Sequence, residues 1–208
     1  MLPYAEGLAA KPVATDVWTL GVFSVLIIFG GISYWVIADI IRTRSLRKLS
    51  LNTKLVLSAF IILIVAGTAV FFTAEYTNPQ TMGQMSIEDK ALTSVFHSVS
   101  SRTAGMQTLS FGDTQQQTNF FYIGLMFVGA ASASVGGGIK VNTFMVILIA
   151  VFCTLTGKSR TTAFQREIPQ EQVMRAMGIG FVALVYVFAS AFVLSFLEHE
   201  ARFITLFF

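Results

Sequence analysis

The sequence predicts an all-α membrane protein in which transmembrane helices flank a short re-entrant helix and loop, and three observations predict it. Hydrophobic residues make up 54% of the 208 and charged ones only 12%, half of the roughly 25% charged residues of an ordinary soluble domain. Four stretches, 17–41, 55–73, 120–155 and 174–197, each supply the ~20 mostly apolar residues that cross ~30 Å of hydrocarbon. Two places, 87–107 and 129–140, break that pattern with short helical or glycine-rich sequence, which membrane depth tolerates only where protein or a water-filled cavity surrounds it.

Residues 1–16 carry Pro3, Glu6, Lys11 and Pro12 and lack the basic start, apolar core and cleavage site of a signal peptide, so insertion is expected to rely on the spans. The link after the first span holds Arg42, Arg44, Arg47, Lys48 and Lys54 and no acid. By the positive-inside bias it is cytoplasmic. The link before the last span, with Lys158, Arg160, Arg166 and Arg175 against Glu167 and Glu171, falls on the same side. Between spans two and three, Glu75, Glu88, Asp89 and Asp113 outweigh Lys90 and Arg102, as expected outside. The net charge of +3 follows from these loops. It points to topology and to anionic lipid headgroups as partners, not to nucleic acid. Cys153, the single cysteine, is expected to be a small buried hydrophobe, because one thiol makes neither an intrachain disulfide nor a cysteine-cluster metal site.

The first anomaly opens at Ser86, a helix cap followed by Glu88 and Asp89, where acids suit the positive end of a helix. Ile87, Ala91, Val95 and Val99 then recur near helical spacing. A helix over 87–101 is too short to cross. It leads into Arg102-Thr103-Ala104-Gly105 and then polar Gln107, Thr108 and Ser110, the pattern of an element that dips in and turns back. The second anomaly divides the third span at Gly129-Ala130-Ala131-Ser132-Ala133-Ser134-Val135-Gly136-Gly137-Gly138-Ile139-Lys140. Each helix-interior glycine costs about 0.5–1 kcal/mol relative to alanine, so three in succession, preceded by two serines, predict an unwound stretch. Lys140 falls at mid-membrane, where a cation costs at least ~2.5 kcal/mol and sits beside an aqueous path or a partner. Close helix packing of the kind suggested by Gly178 and Gly180 would not require that lysine.

A potassium filter replaces the ion's water shell with backbone carbonyls, which needs a short extended run of compact residues and a conformationally free glycine. Thr103, Ala104, Gly105 and Met106 meet that description. The preceding helix aims its carboxyl end, with about −0.5 charge, at a cation. Here the sequence becomes specific. Phe96-His97-Ser98-Val99-Ser100-Ser101-Arg102-Thr103-Ala104-Gly105-Met106-Gln107-Thr108, then Met126-Phe127-Val128-Gly129-Ala130 and Gly136-Gly137-Gly138-Ile139-Lys140-Val141-Asn142-Thr143-Phe144, closely resemble the third pore loop and third closing helix of the Ktr/Trk/HKT potassium-transporter superfamily. Residues 49–57 look like that family's link into the third unit.

The resemblance implies a partial copy of a four-unit pseudo-symmetric pore: a closing helix of the second unit over 1–48, the whole third unit over 49–157, and the opening helix of the fourth over 158–208. It implies potassium ion transport, with Thr103, Ala104, Gly105 and Met106 as one quarter of the filter. Ala130, Ala131, Ser132, Ala133, Ser134, Val135, Gly136, Gly137, Gly138 and Lys140 become a gate loop below it. It also implies a homodimer when full length, a cytoplasmic nucleotide-binding regulatory subunit, a bacterial plasma membrane, and no cofactor beyond the transported potassium, with sodium open as a coupling or activating ion. Met106 stands where phenylalanine is common. The first unit and the second and fourth filter loops are missing, so the chain alone is expected to conduct nothing.

Other classes fit less well. Gly136-Gly137-Gly138-Ile139-Lys140 fails as a phosphate-binding loop, since its lysine should follow glycine directly and precede Ser or Thr, where Ile139 and Val141 stand. A serine protease would need His97 or His199 beside Ser132 or Ser134, which fall on opposite sides. A transporter of another solute with a broken-helix site would not require the short outer helix and Thr-Ala-Gly. A non-conducting accessory subunit is the remaining alternative, separable by co-purification with a full-length transporter.

Overall fold

The computed structural model describes residues 16–197 apart from 103 and 135. The expectations placed on 1–15, on Thr103, on Val135, on His199 and on the rest of 198–208 lie outside the described residues.

The apolar run at 17–41 forms two helices, α1 (Val17–Gly31) and α2 (Tyr34–Thr43), which meet at 92°. This corrects the single straight span expected there. Ile32 and Ser33 take extended backbone, and the Ser33 hydroxyl restarts the helix by accepting from the Trp35 amide at 3.3 Å. The Gly31 carbonyl, freed from its own helix, accepts from the Ala131 amide at 3.0 Å. A side chain at Gly31 would stand 3.3 Å from the Phe60 ring. Asp39 on α2 accepts from the Ser50 amide at 3.0 Å and from the hydroxyls of Thr53 and Thr43, fastening α2 to the start of the next helix. At the other end Asp16 caps α1, where the hydroxyl and then the amide of Thr19 hold its carboxyl below the ordinary range.

Helix α3 (Leu51–Glu75) is capped by Ser50, whose hydroxyl accepts from the Thr53 amide. Helix α4 (Ile87–Ser100) begins as its sequence demands, Ser86 accepting from the Asp89 amide at 3.2 Å. The two cross at Gly67, where an added Cβ would lie 2.3 Å from Ser98 Oγ and 3.1 Å from Leu125, while Ser98 donates to the Ile64 carbonyl at 2.8 Å. Gly67→Ala is therefore expected to cost about 2 kcal/mol by overpacking, read as a lower unfolding midpoint in detergent. Combining it with Ser98→Ala should recover part of that loss; strictly additive losses would argue against this contact.

The third apolar stretch divides into α5 (Gln116–Phe127) and α6 (Val141–Leu155), with the glycine-rich segment between them. The last, α7 (Gln170–Leu197), continues for 28 residues. Helices α3 and α7 are each long and apolar enough to cross a membrane, and the bent α1–α2 pair makes up to a third span. The one element not expected is a two-residue hairpin in the link before α7, β1 (Thr162–Ala163) against β2 (Arg166–Glu167), with Phe164 and Gln165 both left-handed at its turn.

Three apolar clusters hold these elements together. Val36, Val56, Ala59, Phe60, Val128, Ala131 and Val141 surround the break between α5 and α6. Leu55, Ala150, Ala163, Ile168 and Val173 seat the hairpin and the start of α7. Phe71, Met82 and Tyr122 pack at the far end of α3. Along α7, Phe181, Tyr186 and Phe188 among others stay exposed, a surface suited to hydrocarbon or protein neighbours rather than water.

Candidate functional site

The segment that follows α4 keeps helical backbone at Ser101 and has left it by Gly105. The amides of Ala104 and Gly105 both turn back to the Ser100 carbonyl, at 3.1 and 3.3 Å. Gly105 sits at φ +63, a left-handed conformation that favours glycine, with no atom within 4 Å of where a Cβ would be. Ala104, Gly105, Met106 and Gln107 are exposed. Two side chains of α4 brace the segment that continues: Ser100 donates to the Met106 carbonyl at 2.6 Å, and His97 Nε2 shares a 2.9 Å hydrogen bond with Thr108. His97 is wholly buried, stacked on Phe71 with ring centres 4.9 Å apart and edge-on to Phe96 and Phe111. It is a packing residue behind the loop.

Beyond this segment the chain turns around Glu75. That carboxylate is fully buried at the end of α3. It accepts from Asn78 Nδ2 and Thr81 Oγ1, each at 2.7 Å, from the Gln115 amide at 2.9 Å, and from the Thr118 hydroxyl. Asn78 Nδ2 also donates to the Asp113 carbonyl at 2.9 Å. Four donors satisfy an anion that burial would otherwise penalise heavily, and they gather both flanks of the α4 excursion onto one residue. Lys90 closes the same turn, its Nζ 2.9 Å from the Tyr76 carbonyl and 4.1 Å from the Tyr76 ring centre.

The glycine-rich segment is unwound, as its composition predicts, and it is tied to itself. Its two ends pair side by side: the Gly129 amide donates to the Ile139 carbonyl at 2.9 Å, the Ile139 amide to Phe127 at 3.0 Å, and the Val141 amide to Ala130 at 3.1 Å. Gly129 is required at this closure, because a Cβ there would lie 1.6 Å from the Gly137 carbonyl oxygen. Ala130 and Ala131 are fully buried. Ser132 donates to Asn142 at 2.8 Å and Ser134 to the Ala131 carbonyl at 2.6 Å, while Ala133 is exposed at φ +62. Gly136 is buried, and Gly137 and Gly138 are exposed, the latter at φ +74. Lys140 donates to the Gly136 carbonyl at 2.6 Å. Within this chain the partner expected for Lys140 is thus supplied by the loop's own backbone. Ser132, Gly138 and Lys140 border an open, mostly apolar groove of about 1120 Å³ against α7.

Arg102 joins the two regions. Its guanidinium lies 3.9 Å from the centre of the Phe60 ring and donates to the Gly129 carbonyl at 3.3 Å, and the residue is only 6% exposed. By loop charge alone it belonged to the outer surface. Gly31, Glu75 and Gly129 were likewise not singled out as site residues. Only Gly31 and Gly129 had a usable signal, each being a glycine in an apolar run beside a serine-containing break.

A family model described as TrkH, a cation transport protein, matches residues 11–208. The Ktr system potassium uptake protein B of Bacillus subtilis (strain 168) is 39% identical over 177 residues, 85% of this chain and 40% of that protein. The protein of the same name in Vibrio alginolyticus is 34% identical over 175 residues, covering 83% and 38%. The potassium/sodium uptake protein NtpJ of Enterococcus hirae is 32% identical over 184 residues, covering 88% and 41%. The crystal structure of the potassium transporter TrkH from Vibrio parahaemolyticus superposes with a TM-score of 0.67 at 17% identity, covering 89% of this chain and 40% of that one, so the fold is shared. The chain spans about two fifths of the length of the curated relatives it matches.

Proposed function

This chain belongs to the TrkH family of cation transport proteins, and from that premise we propose that it supplies part of the potassium pathway of a Ktr/Trk-type uptake system. Membership and the long apolar helices make it an integral membrane protein. The bacterial inner membrane is the location proposed, after its bacterial relatives. Thr103, Ala104, Gly105 and Met106 form one quarter of a carbonyl filter, and residues 130–140 form a gate loop beneath it. Residues 1–48, 49–157 and 158–208 correspond to the end of a second unit, a whole third unit and the start of a fourth.

One observation carries this reading. At the carboxyl end of α4, between two apolar spans, the backbone abandons the helix and presents a left-handed Gly105 in open space. Among the described residues no hydrogen bond engages the carbonyls of Ala104 and Gly105, which can therefore meet a desolvated cation, while Ser100 holds that of Met106; a continuous helix would have consumed them. The name of the Enterococcus hirae relative, which joins sodium to potassium, makes sodium the proposed coupling or activating ion. A homodimer and a cytoplasmic nucleotide-binding regulatory subunit complete the proposed assembly.

The test is a chimaera in which these residues replace the matching segment of the Bacillus subtilis Ktr system potassium uptake protein B, expressed in cells that lack potassium uptake. Uptake should return with the chimaera and stay absent with this chain alone. In the chimaera Gly105→Ser should lower the preference for potassium over sodium by about tenfold, the factor that 1.4 kcal/mol represents. Unchanged selectivity would remove Gly105 from the filter.

A further inference from the structure

We propose that Arg102 is a positioning residue that couples the filter loop to the gate loop, so that the state of one biases the other. The coupling rests on the filter and gate assignments made above.

The geometry has three parts. Arg102 directly precedes the proposed filter residues and is held in place by the Phe60 ring at 3.9 Å. Its guanidinium donates to the carbonyl of Gly129, and the amide of that same residue closes the gate loop by donating to Ile139 at 2.9 Å. One residue is therefore gripped from the filter side by its oxygen and from the loop side by its nitrogen. Phe60 also packs against the bend at Gly31, whose carbonyl accepts from the Ala131 amide, so the ring that supports Arg102 abuts the loop's second anchor.

Arg102 is nearly buried and, among the described residues, forms no ion pair. A cation taken out of water without a carboxylate is costly to maintain, and the backbone carbonyl of Gly129 is its hydrogen-bond acceptor. If the loop opens by releasing Ile139 from Gly129, the carbonyl that Arg102 holds shifts with it. If the filter rearranges when its ion is lost, Arg102 moves and the closure loosens. Linkage makes the effect reciprocal.

The experiment uses the full-length chimaera in a background freed of reactive cysteines, with Ala133→Cys as a reporter on the exposed crest of the gate loop. The rate of modification by a water-soluble thiol reagent is measured with potassium and again with choline as the only cation. The ratio of the two rates is compared within each variant, so that changes in overall reactivity cancel. With Arg102 present the ratio should differ from unity by at least about fivefold, the lower range of ordinary allosteric couplings. In Arg102→Gln it should fall to about one. Should that variant fail to fold, Phe60→Leu keeps apolar volume, removes the stacking ring, and should bring the ratio part of the way toward unity. A ratio near one with Arg102 in place, or an unchanged ratio in a folded Arg102→Gln or Phe60→Leu, overturns the coupling while leaving the pore intact. Loss of potassium uptake by the unsubstituted chimaera strikes the pore reading itself.

Discussion

Replacing Gly129 with alanine should open the proposed gate loop and raise potassium flux through the complete transporter. The new Cβ would lie 1.6 Å from the Gly137 carbonyl oxygen and 2.7 Å from its carbon. Both are backbone atoms, and neither can rotate away as a side chain can. The Gly129–Ile139 and Ile139–Phe127 hydrogen bonds must then break or lengthen. At about 0.5–1.5 kcal/mol for each hydrogen bond, with steric strain added, the closed loop loses about 3 kcal/mol. A loss of even about 1.4 kcal/mol multiplies the open population tenfold. Rubidium uptake by chimaera-containing vesicles is the measurement. A rise of tenfold or more is expected, and flux unchanged in a folded Gly129→Ala protein would mean that this loop does not limit passage.

The second large effect is expected at Glu75, on stability. Glu75→Ala leaves Asn78, Thr81, Gln115 and Thr118 with donors aimed at an empty site. A buried donor left without its acceptor costs about 1–3 kcal/mol. With partial relaxation and entry of water the total should be about 4 kcal/mol, seen as a large fall in the thermal unfolding midpoint in detergent. Glu75→Gln keeps one acceptor oxygen but turns an amide donor toward other donors, and should lose roughly half as much. A Glu75→Ala protein within about 1 kcal/mol of the parent would show that the network adds little net stability.

These two residues mark where sequence reasoning reached and where it stopped. Ser86, Glu88, Asp89 and the Ile87-Ala91-Val95-Val99 stripe place a short helix, and α4 occupies 87–100, because caps and periodicity are local properties. The unwinding at 129–140 was legible for the same reason: three glycines and two serines disfavour helix wherever they stand. Glu75 was different. Its partners lie as far as 43 residues along the chain, so it read as one more external acid until the fold brought Thr118 to it. Arg102 was placed in the re-entrant element, but its acceptor, 27 residues distant, was not legible. The bend at Gly31 had a local signature, Gly30-Gly31 followed by Ser33, and Asp39 was an unlikely guest in a straight span. The surrounding apolar run concealed both. Lys140 was recognised as needing an aqueous path or a partner, but composition cannot tell which, and its acceptor is a peptide oxygen four residues away.

The bend itself carries one last consequence. In a straight helix the Gly31 carbonyl would receive the amide four positions on, that of Trp35, which is now engaged by Ser33. Its present donor, Ala131, belongs to the glycine-rich segment between α5 and α6. Two claimants therefore compete for a single buried oxygen, and inside hydrocarbon little water is at hand to replace either. Any force that straightens the first rod, such as a thicker bilayer pulling it upright, should weaken the Ala131 contact and loosen the glycine-rich segment it secures.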